Sequence, residues 1–252
     1  MKNTAEIIEV GQTNVIETGF FCYMSKRKTE GFRRKLDWVR ERFNEGLRIK
    51  MLALPERGFI EYIPGEFAWR AVNHAAKYMV IHCLWVVGKS KGKGLGGTLV
   101  DECLRDAKKA GMAGVVMVTS EGTWLAGKKL LLNKGFKVVA EAPPSFSLMV
   151  KSFKSAPLPS FPQDWEARAK RFGKGLTVFR SDQCPYLEDA TKTLLAAAAE
   201  KGLKSRVVEL TTAAEVRRLS PSPYGVFNVV LDGRLLNYRY LLKDEFLKLL
   251  KT

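Results

Sequence analysis

Residues 78–108 constrain the fold more than any other stretch of the chain. Tyr78–Val87 is apolar and rich in β-branched residues, which reads as a strand. It runs into Gly88-Lys89-Ser90-Lys91-Gly92-Lys93-Gly94 and then into Leu95-Gly96-Gly97-Thr98-Leu99. From there Leu95, Leu99, Cys103 and Leu104 recur at helical spacing, with Asp101, Arg105 and Lys108 on the opposite side. A strand, a glycine loop and a helix N-terminus together build an anion cradle. Glycines let the backbone turn tightly and approach a ligand, while free amides and the helix dipole attract phosphate. The loop is not a P-loop, because no Gly-Lys-Ser/Thr follows four spacers after a first glycine. Gly92, Gly94 and Gly96 are spaced too tightly for a dinucleotide G-x-G-x-x-G.

The loop resembles the acetyl-CoA pyrophosphate loop of the GNAT acetyltransferases, whose core is Arg/Gln-x-x-Gly-x-Gly/Ala. That core is Lys91-Gly92-Lys93-Gly94-Leu95-Gly96 in this chain. Leu84-x-Val86 stands where the family places Leu-x-Val at the end of its fourth strand. Downstream, a strand over Val115–Thr119, a helix over Thr123–Asn133 and the pair Gly135-Phe136 repeat the family's later order. The resemblance implies a GNAT acyl-CoA N-acyltransferase fold with acetyl-CoA as acyl donor and no metal. It places the pyrophosphate at Lys91, Gly92, Lys93, Gly94, Leu95, Gly96, Gly97 and Thr98, and pairs the pantetheine arm with the backbone of Leu84, Val86 and Val87. The implied reaction is direct attack of an amine on the acetyl group in a ternary complex.

Two departures from the family pattern stand out. Lys91 replaces Arg or Gln and keeps a donor and a charge. Leu131 occupies the place of the tyrosine that usually protonates the CoA thiolate. Either another group supplies that proton or the thiolate leaves without one, as a thiol pKa allows.

Acylation of an amine needs a base to take its proton, directly or through water. Strict alternation along the central strand puts Val80, His82, Leu84 and Val86 on one face and Cys83 on the other. His82 is then the ionisable group of that face, and Glu61 on the preceding strand is a second candidate. The competing reading makes His82 a buried histidine bonded to a carbonyl and Glu61 a solvated carboxylate. His74 falls in a polar loop.

The remaining chain reads as alternating α/β structure. Glu30–Asn44 has helical spacing of Phe32, Leu36, Val39 and Phe43, and Gly46 ends it. Arg48–Leu54 and Gly58–Ile63 are paired strands, Glu66–Val72 an extended segment, and Phe146–Phe153 the last strand of a first domain. Trp124 reads as core or pocket wall, and Lys128 and Lys129 as a solvated helix face within reach of phosphate. Proline-rich residues 155–162 are extended and begin a linker. The predicted organisation is therefore an acetyltransferase domain over 1–154, a linker over 155–175 and a smaller domain over 176–252.

The smaller domain runs strand, alanine-rich helix, strand, helix, hairpin across Asp232-Gly233, helix, an order that resembles the thioredoxin-like fold. Cys184-Pro185-Tyr186 matches the start of a Cys-Pro-Tyr-Cys site, and a thiol at a helix N-terminus is expected to be reactive. Leu187 replaces the second cysteine, so no dithiol cycle is available within this domain. Cys184 is expected to bind or present a thiol substrate, or to be a fold remnant used for docking. The whole chain resembles the YoaP-like acetyltransferases, on Glu61-Tyr62-Ile63-Pro64-Gly65-Glu66, Glu141-Ala142-Pro143-Pro144 and Pro223-Tyr224-Gly225-Val226-Phe227 among others. That likeness implies an acetyltransferase and names no acceptor; the second domain is expected to help select an amine acceptor, thiol-bearing ones among the candidates.

Composition bounds the alternatives. No apolar run reaches the length that spans a membrane, and four scattered cysteines (Cys22, Cys83, Cys103, Cys184) fit no zinc spacing, so a cytoplasmic protein with free thiols is expected. The net charge of +16 fits a polyanionic ligand such as CoA. It also leaves open an RNA- or ribosome-associated protein. A CoA-binding scaffold with a thiol-handling second domain and no acetyl transfer is the other alternative.

Overall fold

The computed structural model describes residues 5–121 and 125–250. In chain order the elements are β1 (Ile7–Val10), α1 (Val15–Thr18), α2 (Glu30–Phe43), β2 (Arg48–Leu52), β3 (Gly58–Pro64), β4 (Tyr78–Val86), α3 (Leu95–Lys109), β5 (Gly114–Ser120), α4 (Lys128–Asn133), β6 (Lys137–Ala142) and β7 (Phe146–Ser152). There follow α5 (Trp165–Lys170), β8 (Leu176–Arg180), α6 (Tyr186–Glu200), β9 (Ser205–Glu209), α7 (Ala213–Leu219), β10 (Phe227–Leu231), β11 (Arg234–Asn237) and α8 (Lys243–Leu249). The chain divides into two compact units: Met1–Met24 with Val39–Ala68 and Val72–Phe161, and Ser25–Trp38 with Trp69–Ala71 and Pro162–Thr252.

The first unit is built on a seven-stranded sheet of order β1-β2-β3-β4-β5-β7-β6. Only β4 and β5 pair in parallel, joined by the crossover helix α3; the other neighbours are antiparallel. Helix α3 buries Leu95, Leu99, Val100, Cys103, Leu104 and Ala107 against Ile60, Tyr62, Met79, Ile81, Leu84, Val115 and Met117. Each fully buried aliphatic side chain here contributes roughly 1.5–3 kcal/mol through removal of apolar area from water. Lys108 and Lys109 in the last turn complement the helix dipole. Beside this core Asp106 accepts from Tyr62 Oη at 2.5 Å, pairs with Lys50 at 2.9 Å and meets Arg48 at 3.1 Å. Burial would raise the Asp106 carboxyl, but the bonds from Tyr62 and Lys50 and the nearby Lys50 and Arg48 charges outweigh it and hold the group below its ordinary range.

Two local expectations are corrected. Glu66–Val72 is not an extended segment: Gly65–Phe67 forms a 3-10 turn, and a Cβ on Gly65 would stand 1.9 Å from the Ala75 carbonyl oxygen, so only glycine admits this close passage. The helix expected over Thr123–Asn133 begins at Lys128, after Gly127 in an extended conformation. Thr123 and Trp124 lie outside the described residues. A further strand, β6, forms the sheet edge, with β7 lying between it and β5. Residues 155–161 count with the first unit, where Ser160 and Asn73 exchange backbone hydrogen bonds of 2.8 and 3.1 Å.

The second unit carries a four-stranded sheet of order β11-β10-β8-β9. β8 pairs in parallel with β9 and antiparallel with β10, which makes a hairpin with β11 through Asp232 (φ 49°) and Gly233 (φ 76°). Helix α7 starts in a capping box: Thr212 Oγ1 accepts from the Glu215 amide while Glu215 accepts from the Thr212 amide.

Candidate acyl-transfer site

The centre of the first unit's sheet holds the geometry that matters. The β3–β4 ladder pairs Ile60 with Leu84 and Glu61 with Cys83, then Tyr62 with Ile81. His82 therefore has no residue opposite it and forms a β-bulge. This overturns the expected alternation. Ile81 and Leu84 both face the α3 core and Val86 packs against it, so Leu84 and Val86 do not share a face with His82. Across the ladder, Cys83 and Trp85 pair with Glu61 and Phe59 instead.

The bulge has a direct chemical consequence. His82 Nδ1 and Glu61 Oε1 lie 3.2 Å apart, with both side chains buried. Were Glu61 ionised it could only accept, and Nδ1–H would donate and set the imidazole tautomer. The two residues expected as alternative bases form one buried pair. Their sequence separation hides this, because the pairing depends on where the bulge falls.

At the same place the sheet opens. The parallel ladder between β4 and β5 runs from Tyr78–Gly114 to Ile81–Met117. β4 continues to Val86 and β5 to Ser120, where β5 is paired with β7 alone among the described residues. The strand edge at Leu84 and Val86 thus faces the split, and an extended amide-bearing chain adds to such an edge by backbone hydrogen bonds; Val87, expected on the same edge, instead turns its amide to the Arg57 carbonyl on the β3 side.

The cradle lies just beyond. Gly88, Gly92 and Gly94 have φ of 58°, 78° and 80°, a region that side-chain-bearing residues enter at a cost. A Cβ on any of the three would meet nothing within 4 Å, so the space in front of the loop is open. Gly94 is the N-cap of the 15-residue helix α3 and supplies no side-chain cap to the first turn. The amides of Gly97 and Thr98 turn back to the Gly94 carbonyl, at 2.9 and 3.2 Å. Gly96 and Gly97 have a different role: a Cβ there would stand 3.2 Å from Leu130 and 2.9 Å from the Lys134 side chain, so these glycines admit the α4 segment.

The loop is braced from the β2–β3 turn. Val87 donates to the Arg57 carbonyl at 3.0 Å, Arg57 to Ser90 Oγ at 2.8 Å, and Lys93 to Glu56 at 2.6 Å. The hydrogen bond from Lys93, with one from Ser90, holds the Glu56 carboxyl below its ordinary range. Lys93 is tied to Glu56, whereas Lys91 is exposed at the loop tip. Leu131 is fully buried among the α3 core residues and brings no proton donor to the site. The residues present fit the phosphates and amide-bearing arm of acetyl-CoA: glycines leave room, backbone supplies donors and Lys91 supplies charge. Among the described residues no group of His, Cys, Asp and Glu is placed to hold a metal ion, and no helix is long and apolar enough to cross a membrane.

No family profile matches the sequence. The YoaP protein of Bacillus subtilis strain 168, described as an uncharacterized N-acetyltransferase, is 30% identical over 249 residues, covering 97% of this chain and 98% of that protein. The chain belongs to the YoaP family of N-acetyltransferases. Similar solved structures include the ribosomal-protein-alanine N-acetyltransferase of Brucella melitensis, with 15% identity over 59% of this chain and 99% of that one, at a TM-score of 0.43. Another is aminoglycoside 6'-acetyltransferase type Ii, with 18% identity over 60% and 99% of the two chains and a TM-score of 0.45. A third, yncA of Salmonella typhimurium, was crystallised with acetyl-CoA; it shares 15% identity over 63% and 99%, at a TM-score of 0.45.

In this YoaP-family chain Cys184 lies in the second unit, half-buried, directly before Pro185, the N-cap of α6. The surrounding turn is fixed by charge. Buried Arg180 bonds Glu188 and Asp182, and Arg34 bonds Asp182 at 2.7 Å and Glu209 at 3.3 Å. Gly31 of α2 admits the Pro185 carbonyl, which would stand 2.2 Å from a Cβ there. Sequence reasoning missed this ionic lattice, since its members are scattered from Glu30 to Glu209.

Proposed function

We propose that this chain transfers an acetyl group from acetyl-CoA to an amine by direct attack in a ternary complex, with His82 as the base and Glu61 as its orienting partner. The observation that carries the reading is the coincidence, within a few residues of β4, of an open cradle, a split strand edge and the buried Glu61–His82 pair. Lys91, Gly92, Lys93, Gly94 and Leu95, leading into the first turn of α3 at Gly96, Gly97 and Thr98, form the pyrophosphate seat, and the backbone of Leu84 and Val86 pairs with the pantetheine arm. The amine reaches the site as an ammonium ion and must lose a proton before it attacks. With Nδ1 turned to Glu61, His82 takes that proton through Nε2, by way of water. The amine nitrogen then bonds to the acetyl carbon, the carbon–sulfur bond breaks, and the nitrogen gives up its second proton to solvent as the neutral amide forms. The electron pair leaves with the CoA sulfur as thiolate, which needs no acid in the place of Leu131 because a thiol ionises close to neutrality.

We further propose that the second unit is a thioredoxin-like domain without redox cycling, in the arrangement of domains over 1–154 and 176–252. Its support is the strand order β11-β10-β8-β9 with one parallel pair, together with Cys184 at the head of α6. In this reading Cys184 presents or recognises a thiol rather than exchanging a disulfide. The test is release of CoA thiol from acetyl-CoA in the presence of amines, followed by mass measurement of the product. A gain of one acetyl group on the amine supports the reading. Saturable acetyl-CoA binding with no transfer to any amine would favour the CoA-binding scaffold instead.

A further inference from the structure

The sheet face that carries Glu61 also carries an aromatic cluster that the chemistry above does not use. Phe59 and Trp85 are cross-strand partners, two residues beyond the Glu61–Cys83 pair on the same face. At the rise of a strand that is about 7 Å along β3 and β4. Phe21, from the loop after α1, stacks on Phe59 with ring centroids 4.8 Å apart and an interplanar angle of 24°. It meets Trp85 edge-on at 6.2 Å and 66°. Phe59 is buried, whereas Trp85 keeps 41% of its surface exposed, one of the few large apolar side chains that does.

The loop that delivers Phe21 is held in an unfavourable conformation. Phe21 and Tyr23 have φ of 77° and 56°, the left-handed region that side-chain-bearing residues enter at a cost. Two such residues in a run of three are kept only where the surroundings fix them. Phe21 stacks on Phe59, and the two form an aromatic wall that ends at the exposed Trp85 ring.

We propose that Phe21, Phe59 and Trp85 are the acceptor shelf of the enzyme, and that the acceptor is a primary amine carried on an aromatic body. The inference rests on the acetyl-transfer reading, because it takes His82 and Glu61 as the point the amine must reach. A flat ring laid on Trp85 places an amine one or two bonds further along the face, toward the Glu61–His82 pair. The charge of the chain argues in the same direction. A net charge of +16 repels a polyamine or multiply charged sugar more than it repels an acceptor with a single ammonium. Loss of the Trp85 ring is expected to weaken acceptor binding about tenfold, the upper end of what one aromatic contact supplies.

The experiment measures acetylation of 2-phenylethylamine, butylamine and spermidine by the full chain and by Trp85→Ala and Trp85→Phe, with an acetyl-CoA titration of each protein alongside. The expected order of kcat/KM is 2-phenylethylamine, then butylamine, then spermidine. Trp85→Ala is expected to raise KM for 2-phenylethylamine about tenfold with kcat changed less than threefold and acetyl-CoA affinity unchanged, and Trp85→Phe to restore most of the loss. Spermidine as the preferred acceptor, or a KM indifferent to Trp85→Ala, overturns the shelf. Acetyl-CoA binding without acetylation of any of the three amines also overturns it while leaving the donor site intact. Failure to bind acetyl-CoA at all overturns the acetyl-transfer reading itself.

Discussion

Glu61→Gln tests the buried pair with the smallest possible change in shape. The side chain keeps its length and its acceptor oxygen, and loses only its charge. In the wild-type chain that charge stands 3.2 Å from Nδ1 of His82, with both side chains withdrawn from solvent. Once His82 has taken a proton from the amine, the attraction between the two unit charges is about 5 kcal/mol at an effective dielectric constant near 20. Glutamine's dipole restores part of it, leaving a loss of roughly 3–5 kcal/mol in the state that carries the proton. That corresponds to a fall of about 10²–10⁴-fold in kcat. The KM for acetyl-CoA is expected to stay within about twofold, because the cradle and the strand edge are untouched. The assay is steady-state CoA release over a pH series, with the limb reporting the base displaced toward lower pH in the variant. A kcat reduced less than threefold, with an unchanged pH profile, would refute the assignment of Glu61 as partner to the base.

Three further changes test other parts of the account. Asp106→Asn keeps one acceptor oxygen for Tyr62 but removes the charge that pairs with Lys50, and leaves Lys50 buried with half its compensation; a loss of roughly 3–5 kcal/mol by denaturant unfolding is expected. Wild-type stability should fall as pH drops below the ordinary carboxylate range, since the carboxyls of Asp106 and Glu102 are both held low in the folded chain and their contribution is lost as they protonate. Thermal melts from pH 7 to pH 3 check this, and Asp106→Asn should flatten the slope. Leu131→Tyr places a larger, hydroxyl-bearing ring in a fully buried position; it should cost roughly 1–3 kcal/mol by overpacking, read as a lower melting temperature, and should not raise turnover.

The parts of this chain that were legible in its sequence are those whose signal is local. Gly92, Gly94 and the apolar spacing of Leu95, Leu99, Cys103 and Leu104 mark a loop-to-helix junction because left-handed turns demand glycine and a buried helix face demands period 3.6. The second unit's order of elements was readable for the same reason: its strands are short apolar runs, and Thr212–Glu215 and Asp232-Gly233 punctuate them. The bulge at His82 was not legible. It arises from the register of β4 against β3, and nothing in Ile81-His82-Cys83-Leu84 announces that the alternation breaks there. β6 escaped notice because Lys137–Ala142 lies at the sheet edge with mixed exposure, which blurs the period of two. The aromatic wall joins Phe21 to Phe59 and Trp85, and only the sheet brings those positions together.

The central claim is that the glycine cradle before α3 seats the pyrophosphate of acetyl-CoA, and calorimetric titration of the full chain with acetyl-CoA tests it most directly. Gly94→Glu serves as the paired variant: its side chain projects into the open space in front of the loop and adds a negative charge where phosphate should lie. The account predicts saturable micromolar binding at one site by the wild-type chain and loss of at least a hundredfold in affinity in the variant, with both proteins giving the same circular dichroism spectrum. Wild-type protein that is folded and does not bind acetyl-CoA, or a Gly94→Glu variant that binds it equally well, would contradict it.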